Sequence, residues 1–475
     1  MKNGDTGGAY FFALGGGDEI GKSMYVSVFP KENIIAIFDC GIEMLQKNGN
    51  ADTIRLPDFS KIKELIAGNP EYRILVFLTH GHMDHIGAVA KLKKDFPQAR
   101  IFATEPTAAI TEVMGIDSIN IRDSNELTPH FTEDELYECT NSIEIIRSSD
   151  WKDLVSGFRV RFEPAGHIRG ASSVLLGTPY GILAYSGDIN FRNTTTVRGA
   201  SMKLEDKVRW LLIESTNGND TNPDPEEVMK KLIVRTVEIA RNGGNILIPA
   251  FAVGRCPDVG IRLGRELMKY GIQVWSGGLF RKVAEVCSST RWESDIRYES
   301  STVNRGRRSS YELTKENIYW VHRYNYSEIA MGKGKVVVIP HGMLEAGYSQ
   351  DFCADWADNP NNAIFLVGYQ AEGTCGRELG SHKESVTITS PMSGHTETVR
   401  IKAKVESYRI SGHADGNQLA SWVHQMGTHD GKSIDKLILV HGDKEGQEGL
   451  GARLIALPNR PKEILVGVNN QNIIL

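Results

Sequence analysis

The stretch LTHGHMDHIGAV, residues 78–89, places three histidines and one aspartate within six positions, in a chain of 475 residues that holds only 13 histidines. It continues from ILVFL, residues 74–78, an apolar run that predicts a buried strand. Such side chains either meet by chance in a polar loop or converge on a metal. Imidazole and carboxylate ligands without cysteine suit an ion of the zinc class, with manganese the less favoured alternative.

Further ligand-type side chains follow three other apolar runs. His167 comes after FRVRFEPAG, Asp188 after GILAYSG, and His441 after LILV. Open α/β sheets place their sites beyond the ends of their strands. One such histidine alone is more often a structural residue that makes a backbone hydrogen bond. Together with the first stretch, these four occurrences favour a metal centre over coincidence.

The order of predicted elements indicates an α/β chain of two domains, or of one domain with a large insertion. Strands are predicted at 33–41 and 73–79, and a helix with Val89, Leu92 and Phe96 on one side follows the histidine stretch. From about residue 224, a long amphipathic helix, the strand GNILIPAF and another helix alternate, which implies a parallel sheet. The segment 288–315 has no clear period and is predicted to be exposed.

Composition excludes several other classes of protein. The chain is 40% hydrophobic and 24% charged, as in ordinary soluble proteins, and no apolar run is long enough to cross a bilayer. We therefore expect no membrane partner and no signal peptide. Six cysteines without a Cys-x-x-Cys pair indicate reduced thiols and a cytoplasmic protein. A net charge of −5 means that a polyanion would have to be held locally.

These motifs resemble those of a known superfamily. THGHMDH, the later His167, Asp188 and His441, and Asp39 in FDCG are similar in type and order to the metallo-β-lactamase superfamily. Glu214 in WLLIESTNGND and the stretches IPAFAVGR (248–255), GYQAEGTCGREL (368–379) and SGHAD (411–415) resemble its β-CASP branch, nucleases that cut RNA or DNA. ALGGGDEIGKSMY is similar to ribonuclease J and PAGHIRGASSVLL to cleavage-and-polyadenylation endonucleases, so both subfamilies stay open.

The resemblance implies an α/β fold: a metallo-β-lactamase αββα sandwich with an inserted β-CASP α/β domain. The first part of the sandwich would be residues 1–214, the insert 215–385, and the second part of the sandwich 386–475. The active site is expected in the cleft between the sandwich and the insert.

The resemblance also implies roles for the ligand-type residues. His80, His82 and His167 would hold one zinc ion, Asp84, His85 and His441 a second, and Asp188 would bridge them. Two ions about 3.5–4 Å apart can share a hydroxide that attacks a phosphodiester. Asp84 is therefore also counted as catalytic, together with His413 as general acid and Glu214, which would orient it. Asp39 is expected to hold the histidine loop and not to bind metal.

Substrate contacts are predicted at four further positions. Arg255, Arg409, Ser411 and Gly412 are candidates for gripping a phosphate, although a buried ion pair is an equal alternative for Arg255. The basic tract NRGRR (304–308), with Tyr311 beside it as a base-stacking ring, either follows a nucleic-acid backbone or is a solvated loop. His341 is interpreted as local variation, and His395 as a surface-loop residue.

The predicted activity is hydrolysis of single-stranded RNA, by internal cutting, 5′–3′ exonuclease action, or both. A DNA-directed β-CASP nuclease, a small-molecule hydrolase such as a lactonase, thioesterase or β-lactamase, and an inactive scaffold are the alternatives. The small-molecule enzymes do not need Glu214 or SGHAD, and inactive scaffolds lose metal ligands that are all present here. Whether the chain forms a homodimer is left open.

Overall fold

The computed structural model describes residues 7–43, 55–124, 126–147, 150–202, 206–299, 307–312, 314–390, 392, 394–428 and 433–475. The strands are β1 (Tyr10–Gly15), β2 (Met24–Phe29), β3 (Ile34–Phe38), β4 (Arg73–Phe77), β5 (Arg100–Ala103), β6 (Ile143–Ile145), β7 (Lys152–Asp153), β8 (Arg159–Pro164), β9 (Ser172–Thr178), β10 (Gly181–Tyr185), β11 (Val208–Glu214), β12 (Ile246–Pro249), β13 (Val274–Gly277), β14 (Arg297–Glu299), β15 (Arg307–Ser309), β16 (Tyr319–Val321), β17 (Val336–Ile339), β18 (Ala363–Leu366), β19 (Ser385–Thr389), β20 (Thr396–Arg400), β21 (Lys404–Ser407), β22 (Lys436–Val440), β23 (Glu463–Val466) and β24 (Ile473–Ile474).

The helices are α1 (Ser60–Gly68), α2 (Met83–Ile86), α3 (Val89–Asp95), α4 (Glu105–Ser124), α5 (Glu133–Asn141), α6 (Pro225–Arg241), α7 (Arg255–Leu267), α8 (Leu279–Ser289), α9 (Thr314–Asn317), α10 (Tyr326–Met331), α11 (Tyr348–Trp356), α12 (Cys375–Gly380), α13 (Gly416–Thr428) and α14 (Lys444–Ile455). The predicted strands at 33–41 and 73–79 correspond to β3 and β4. The predicted helix after the histidines is α3, in which Val89 and Leu92 are buried.

Two seven-stranded sheets pack face to face. The first sheet has the order β24-β1-β2-β3-β4-β5-β6, and the second has the order β23-β22-β11-β10-β9-β8-β7. Between them, the ring of Tyr185 in β10 lies 5.8 Å from Phe38 in β3 and 5.2 Å from Tyr25 in β2. Their large buried rings form a continuous apolar core between the sheets.

Alternation along the strands explains why both faces of the first sheet are covered. In β3, Ala36 and Phe38 belong to the core between the sheets, while Ile35 and Ile37 point to the other side, where the buried faces of α1, α3 and α5 pack. Helices α13 and α14 cover the outer face of the second sheet. The result is the expected αββα sandwich.

A third sheet lies within the part of the chain that the resemblance assigns to an insert. Its order is β16-β13-β17-β12-β18-β21, and all five pairs of neighbouring strands in it are parallel. Helix α6 begins where predicted, with the Asp224 side chain accepting the Glu226 N–H at 2.8 Å and proline in the first turn. The parallel sheet predicted from strand–helix alternation is confirmed.

The edge strand β21 pairs with β18, so the third sheet extends to Ser407, past the predicted domain boundary at 385. The chain then passes through residues 411–415 and returns to the second sheet at β22. The division at 214 and 385 remains a prediction. None of the helices in the described ranges is long and apolar enough to cross a bilayer.

Candidate metal centre

The histidine stretch lies where β4 ends, and Asp39 holds it in place. One oxygen of Asp39 accepts the Thr79 N–H at 2.7 Å, and the other lies 2.8 Å from both the Thr79 hydroxyl and Nδ1 of His85. At Gly41, an added Cβ would lie 1.7 Å from the Asp84 carbonyl oxygen, so only glycine allows this close approach. Asp39 therefore supports the loop, as predicted. It contacts Nδ1 of His85, while Nε2 of the same ring faces His441.

Three histidines and one oxygen of Asp188 form a first group. Nδ1 of His82 lies 3.1 Å from Nε2 of His80 and 3.1 Å from Nε2 of His167. Oδ2 of Asp188 lies 3.4 Å from the same His80 nitrogen and 3.6 Å from that of His167. All four atoms lie within 4.8 Å of one another.

A second group adjoins the first through Asp188. Nε2 of His441 lies 3.2 Å from Nε2 of His85 and 3.4 Å from Oδ2 of Asp84. The other oxygen of Asp188, Oδ1, lies 3.4 Å from the same His85 nitrogen. Each oxygen of Asp188 therefore faces a different group, which is the arrangement that a bridging ligand needs.

The residues present fit divalent cations. Imidazole nitrogens 3.1–3.2 Å apart repel each other unless a proton or a cation lies between them. The buried Oδ1 atom of Asp188 has no hydrogen-bond partner among the described residues. In three of the histidines, the second ring nitrogen contacts a protein oxygen. His82 contacts the Val253 carbonyl at 3.2 Å, His167 the Gly412 carbonyl at 2.8 Å, and His85 the carboxylate of Asp39. Such contacts orient metal-binding histidines.

The electrostatics agree with this fit. Burial holds the pKa of His80 and of His167 well below the usual value, so both are neutral, as ligands must be. Burial also opposes a charge on His85, but Asp188, Asp84 and Asp39 outweigh it and raise the pKa of His85 to about 10. Three carboxylates thus surround the His85 ring, and their negative charge favours a cation at this place.

His413 and Glu214 form a pair beside the two groups. Nδ1 of His413 lies 2.8 Å from Oε2 of Glu214, and the other Glu214 oxygen accepts the Ile189 N–H at 2.7 Å. Burial disfavours the charged imidazole, but Glu214 and then Asp188 outweigh this and raise the pKa of His413 to about 9. Nε2 of His413 lies 3.8 Å from Oδ2 of Asp188, so the second ring nitrogen faces the ligand-type atoms.

The four predicted substrate contacts already have protein partners. Arg255 is buried, with Nη2 3.1 Å from Asp258 and 3.4 Å from the His167 carbonyl, so the buried ion pair considered for it is present. Arg409 is paired with Asp220. The Ser411 hydroxyl donates to the His413 carbonyl at 3.1 Å.

Gly412 offers its carbonyl to His167, and an added Cβ there would lie 2.8 Å from Nη2 of Arg255. All four residues therefore lie around the His167–His413 side of the centre. Their contact with a phosphate remains a prediction.

The basic tract gave one incorrect expectation. Tyr311 is fully buried and cannot stack a base, because its ring packs in the core beside a guanidinium group. Residues 304–306 and the Arg307 side chain lie outside the described residues, and Arg308 is 3.3 Å from Glu316. His341 follows β17, and His395 is exposed between β19 and β20. Neither belongs to the candidate ligand groups found among the described residues.

Arg169, two positions after His167, is a buried residue that sequence reasoning missed, and its side chain is only 1% exposed. Its motif PAGHIRG indicates a candidate ligand in His167 and a resemblance to one subfamily, but it assigns no role to the arginine. The partner that makes Arg169 noticeable, Asp295, is 126 positions away along the chain. Nothing local in the sequence pairs the two residues.

Three family models match the chain in succession. The metallo-beta-lactamase superfamily model matches residues 73–209, the Beta-Casp domain model 276–379, and the model of the Zn-dependent metallo-hydrolase RNA specificity domain 398–463. The first runs from β4 to the start of β11 and includes His80 and Asp188, the second lies within the third-sheet region, and the third includes His413 and His441.

Similar proteins span most of the chain. RNase aCSPSF2 of Saccharolobus solfataricus is 26% identical over 446 residues, which are 92% of this chain and 80% of that protein. The transcription termination factor FttA of Methanocaldococcus jannaschii is 26% identical over 450 residues, 91% of this chain but 66% of that protein. An RNase J-like protein of the same organism is 26% identical over 78% of this chain and 81% of that protein.

A solved structure has the same fold. The crystal structure of a protein of unknown function from Enterococcus faecalis has a TM-score of 0.56 at 14% identity, and the match covers 98% of this chain and 100% of that one. The order of the three models, the αββα sandwich with its inserted parallel sheet, and the two groups joined by Asp188 lead to one conclusion. The chain belongs to the β-CASP family of the metallo-β-lactamase superfamily.

Proposed function

We propose that this protein is a metal-dependent nuclease that hydrolyses phosphodiester bonds of single-stranded RNA. The observation that carries the proposal is the meeting of seven ligand-type side chains, in two groups joined by Asp188, beside the His413–Glu214 pair. Small-molecule enzymes of the superfamily have no need for that pair. The names of the relatives, an RNase, termination factors and an RNase J-like protein, also support a nuclease.

The two groups would each hold one zinc-class ion, with Asp188 between them. Divalent ions held in this way would supply the activated water and the positive charge that phosphodiester hydrolysis requires. The chain itself supplies what surrounds them. The Val253 carbonyl fixes the His82 ring from the third-sheet side, and the Gly412 carbonyl fixes the His167 ring from the SGHAD loop.

His413 is proposed as the general acid. Glu214 accepts from Nδ1 and keeps the ring oriented, so Nε2 can carry the proton that the leaving 3′ oxygen needs. Glu214 cannot swing away, because its second oxygen is held by the Ile189 N–H and its side chain is fully buried. The raised pKa of His413 keeps this proton in place near neutral pH.

One observation supports RNA as the substrate, and a second supports a single-stranded nucleic acid. Residues 398–463 match a model described as an RNA specificity domain. In addition, Tyr369, which follows β18 in the third sheet, is 65% exposed. Strand β18 neighbours β12, and the loop after β12 reaches His82 through Val253. A ring in this position can stack on an unpaired base close to the centre.

Metal content and activity test the proposal together. The purified protein should contain close to two zinc-class ions, and His82→Ala should lose most of the bound metal and the cleavage of labelled RNA. His395→Ala changes an exposed histidine and serves as the control with unchanged metal and activity. Full cleavage of RNA by a metal-free preparation would show that the proposal is wrong.

Substrate class needs a separate comparison. Labelled RNA, single-stranded DNA and a chromogenic lactam should be offered in parallel, and we expect RNA to be cleaved fastest. RNAs with a 5′ monophosphate, triphosphate or hydroxyl, resolved at single-nucleotide length, will separate internal cutting from 5′–3′ degradation. Faster turnover of the lactam than of either nucleic acid would favour the small-molecule hydrolase.

A further inference from the structure

Arg169 is a completely buried arginine whose guanidinium uses all of its donors. Nε and Nη2 bind the two oxygens of Asp295, Nε at 2.7 Å and Nη2 at 2.5 Å. Nη2 also donates to the Thr290 carbonyl at 2.9 Å. Nη1 donates to the Thr290 hydroxyl at 2.9 Å and to the carbonyl of Cys287. Five N–H groups in a rigid plane thus fix the direction of the side chain.

The loop that carries Arg169 also carries His167. It is closed at its base by a 2.9 Å hydrogen bond from the Ala165 N–H to the Ala171 carbonyl, and Gly166 and Gly170 adopt positive φ angles of 70° and 86°. Between these glycines, His167 joins the first ligand group while Arg169 reaches the end of α8. One short loop therefore connects a candidate metal ligand with the third-sheet region.

The segment that receives Arg169 also touches the loop after Asp188. The Ile296 N–H donates to the Thr196 carbonyl at 3.0 Å, and Val197 forms an isolated bridge with Asp295. Residues 287–297 thus contact both the loop that follows β8 and the loop that follows β10. These loops provide His167 and Asp188, two of the four members of the first group.

A buried ion pair is weak evidence for stability, because the cost of removing two charges from water offsets most of their attraction. A bidentate pair does restrict the relative orientation of its two side chains, because a guanidinium and a carboxylate form two parallel hydrogen bonds in few orientations. The contacts of Arg169 therefore restrict where the His167 loop can lie relative to residues 287–295. An apolar side chain of similar size would fill the space without fixing that direction.

We propose that Arg169 is a positioning residue that holds His167 in the first ligand group by fixing its loop to residues 287–295. The proposal rests on the metal centre of the proposed function and goes beyond it, because it makes metal affinity depend on a contact with the third-sheet region. All five N–H groups of Arg169 bind residues outside the second group, so the ion held by Asp84, His85 and His441 should not depend on it.

Metal affinity tests the proposal without an activity assay. Arg169→Met and the control Arg209→Met should be titrated with zinc against a competing chelator. Arg209 is an ion-paired arginine on β11, at the opposite end of that strand from Glu214. We expect Arg169→Met to bind one of its two ions about ten- to a hundred-fold more weakly, the usual effect of losing a supporting contact. Arg209→Met should bind both ions like the wild type.

Thermal unfolding of the metal-free proteins separates positioning from general stability. A purely structural role would lower the unfolding temperature of Arg169→Met with and without metal and leave both affinities of the folded protein unchanged, and that result would overturn the proposal. Arg169→Lys, which keeps the charge but cannot form the fork with Asp295, should show an intermediate affinity.

If Arg169→Met is not recovered in folded form, Asp295→Asn decides by the same titration, since it keeps the shape of the partner and removes its charge. Failure of both variants to fold would mean that Arg169 supports the whole fold, and the proposal would be wrong. If the wild type itself binds no ion, the proposed function fails instead. The two failures are therefore distinguishable.

Discussion

Glu214 links His413 to the backbone beside Asp188. One of its oxygens lies 2.8 Å from Nδ1 of His413, and the other accepts the Ile189 N–H at 2.7 Å. The proposed acid and the proposed bridging ligand are thus held by the same buried carboxylate. The orientation of the His413 ring can therefore be tested separately from metal binding. Glu214 can be altered without removing any ligand-type atom of the two groups.

His413→Ala should slow RNA cleavage by about a hundred-fold or more, the usual contribution of a general acid, and leave the metal content unchanged. Glu214→Gln should also slow the reaction, because the ring loses its negatively charged partner. The deficit of both variants should shrink on a nitrophenyl phosphodiester, whose leaving group needs no proton. Equal losses on both substrates would assign His413 to phosphate binding or to structure.

Asp39→Asn should weaken the ion held by His85, Asp84 and His441 by about ten- to a hundred-fold, because Asp39 orients the His85 ring. The first group touches Asp39 only through Thr79 and should keep its ion. Chelator competition, read as two successive metal-release steps, measures both affinities. Loss of the two ions in one step would contradict this separation.

Tyr369→Ala should weaken binding of single-stranded RNA by about 1–3 kcal/mol if the exposed ring stacks on a base. Tyr369→Phe keeps the ring and should bind like the wild type, and the salt dependence should not change, since no phosphate contact is lost. Tyr270→Ala serves as the control, because Tyr270 is also partly exposed but lies beyond the far end of α7. Fluorescence anisotropy with a labelled oligonucleotide reports the affinities. Unchanged affinity in Tyr369→Ala would exclude stacking at this residue.

Glu345→Gln should stabilise the protein at alkaline pH. Burial raises the pKa of Glu345 to about 7, above the value of about 4.3 for an unfolded glutamate. The folded state therefore holds this proton more tightly, and the resulting stability is complete below pH about 4 and is lost as the pH rises to 7. At pH 8 the free energy of unfolding of the variant should exceed that of the wild type by as much as about 3 kcal/mol. At pH 4 the two free energies should be equal.

Denaturant unfolding at both pH values measures this difference. Glu372→Gln is the matched control, because it makes the same change at a side chain that is 82% exposed. A constant difference between Glu345→Gln and the wild type at every pH would show that Glu345 is not desolvated.

The candidate metal ligands could be predicted from sequence because each follows a strand. A strand end is a local feature, and carboxyl ends of neighbouring strands meet at one edge, so His80, His167 and Asp188 were expected to converge. The sandwich and the parallel sheet were predictable for the same reason, since apolar runs and helix signals are local. The resemblance added the pairing of Glu214 with His413, which are 199 positions apart.

What could not be predicted depends on contacts between distant segments. Tyr311 was expected to be exposed because arginines precede it, yet its ring packs beside Arg169, which no local pattern indicates. The partners of Arg409 and Arg255 were likewise hidden, since a side chain that looks free for phosphate in the sequence can be neutralised by a carboxylate such as Asp220 or Asp258. The extent of the third sheet to Ser407 depended on a strand pairing, β18 with β21, that spans a hairpin.

The second sheet has a consequence for how the protein is made. Strand β11, which ends in Glu214, pairs with β22, and the whole third sheet is synthesised between them. At about 5–20 residues per second, a ribosome needs on the order of ten seconds or more to reach β22 after β11. During that time β11 is an exposed edge strand that could pair with another nascent chain. We therefore expect a chaperone to bind this edge during synthesis. Of the candidate site residues, His413 and His441 are synthesised last, so the proposed cutting centre beside the messenger being translated is incomplete until β22 has been made.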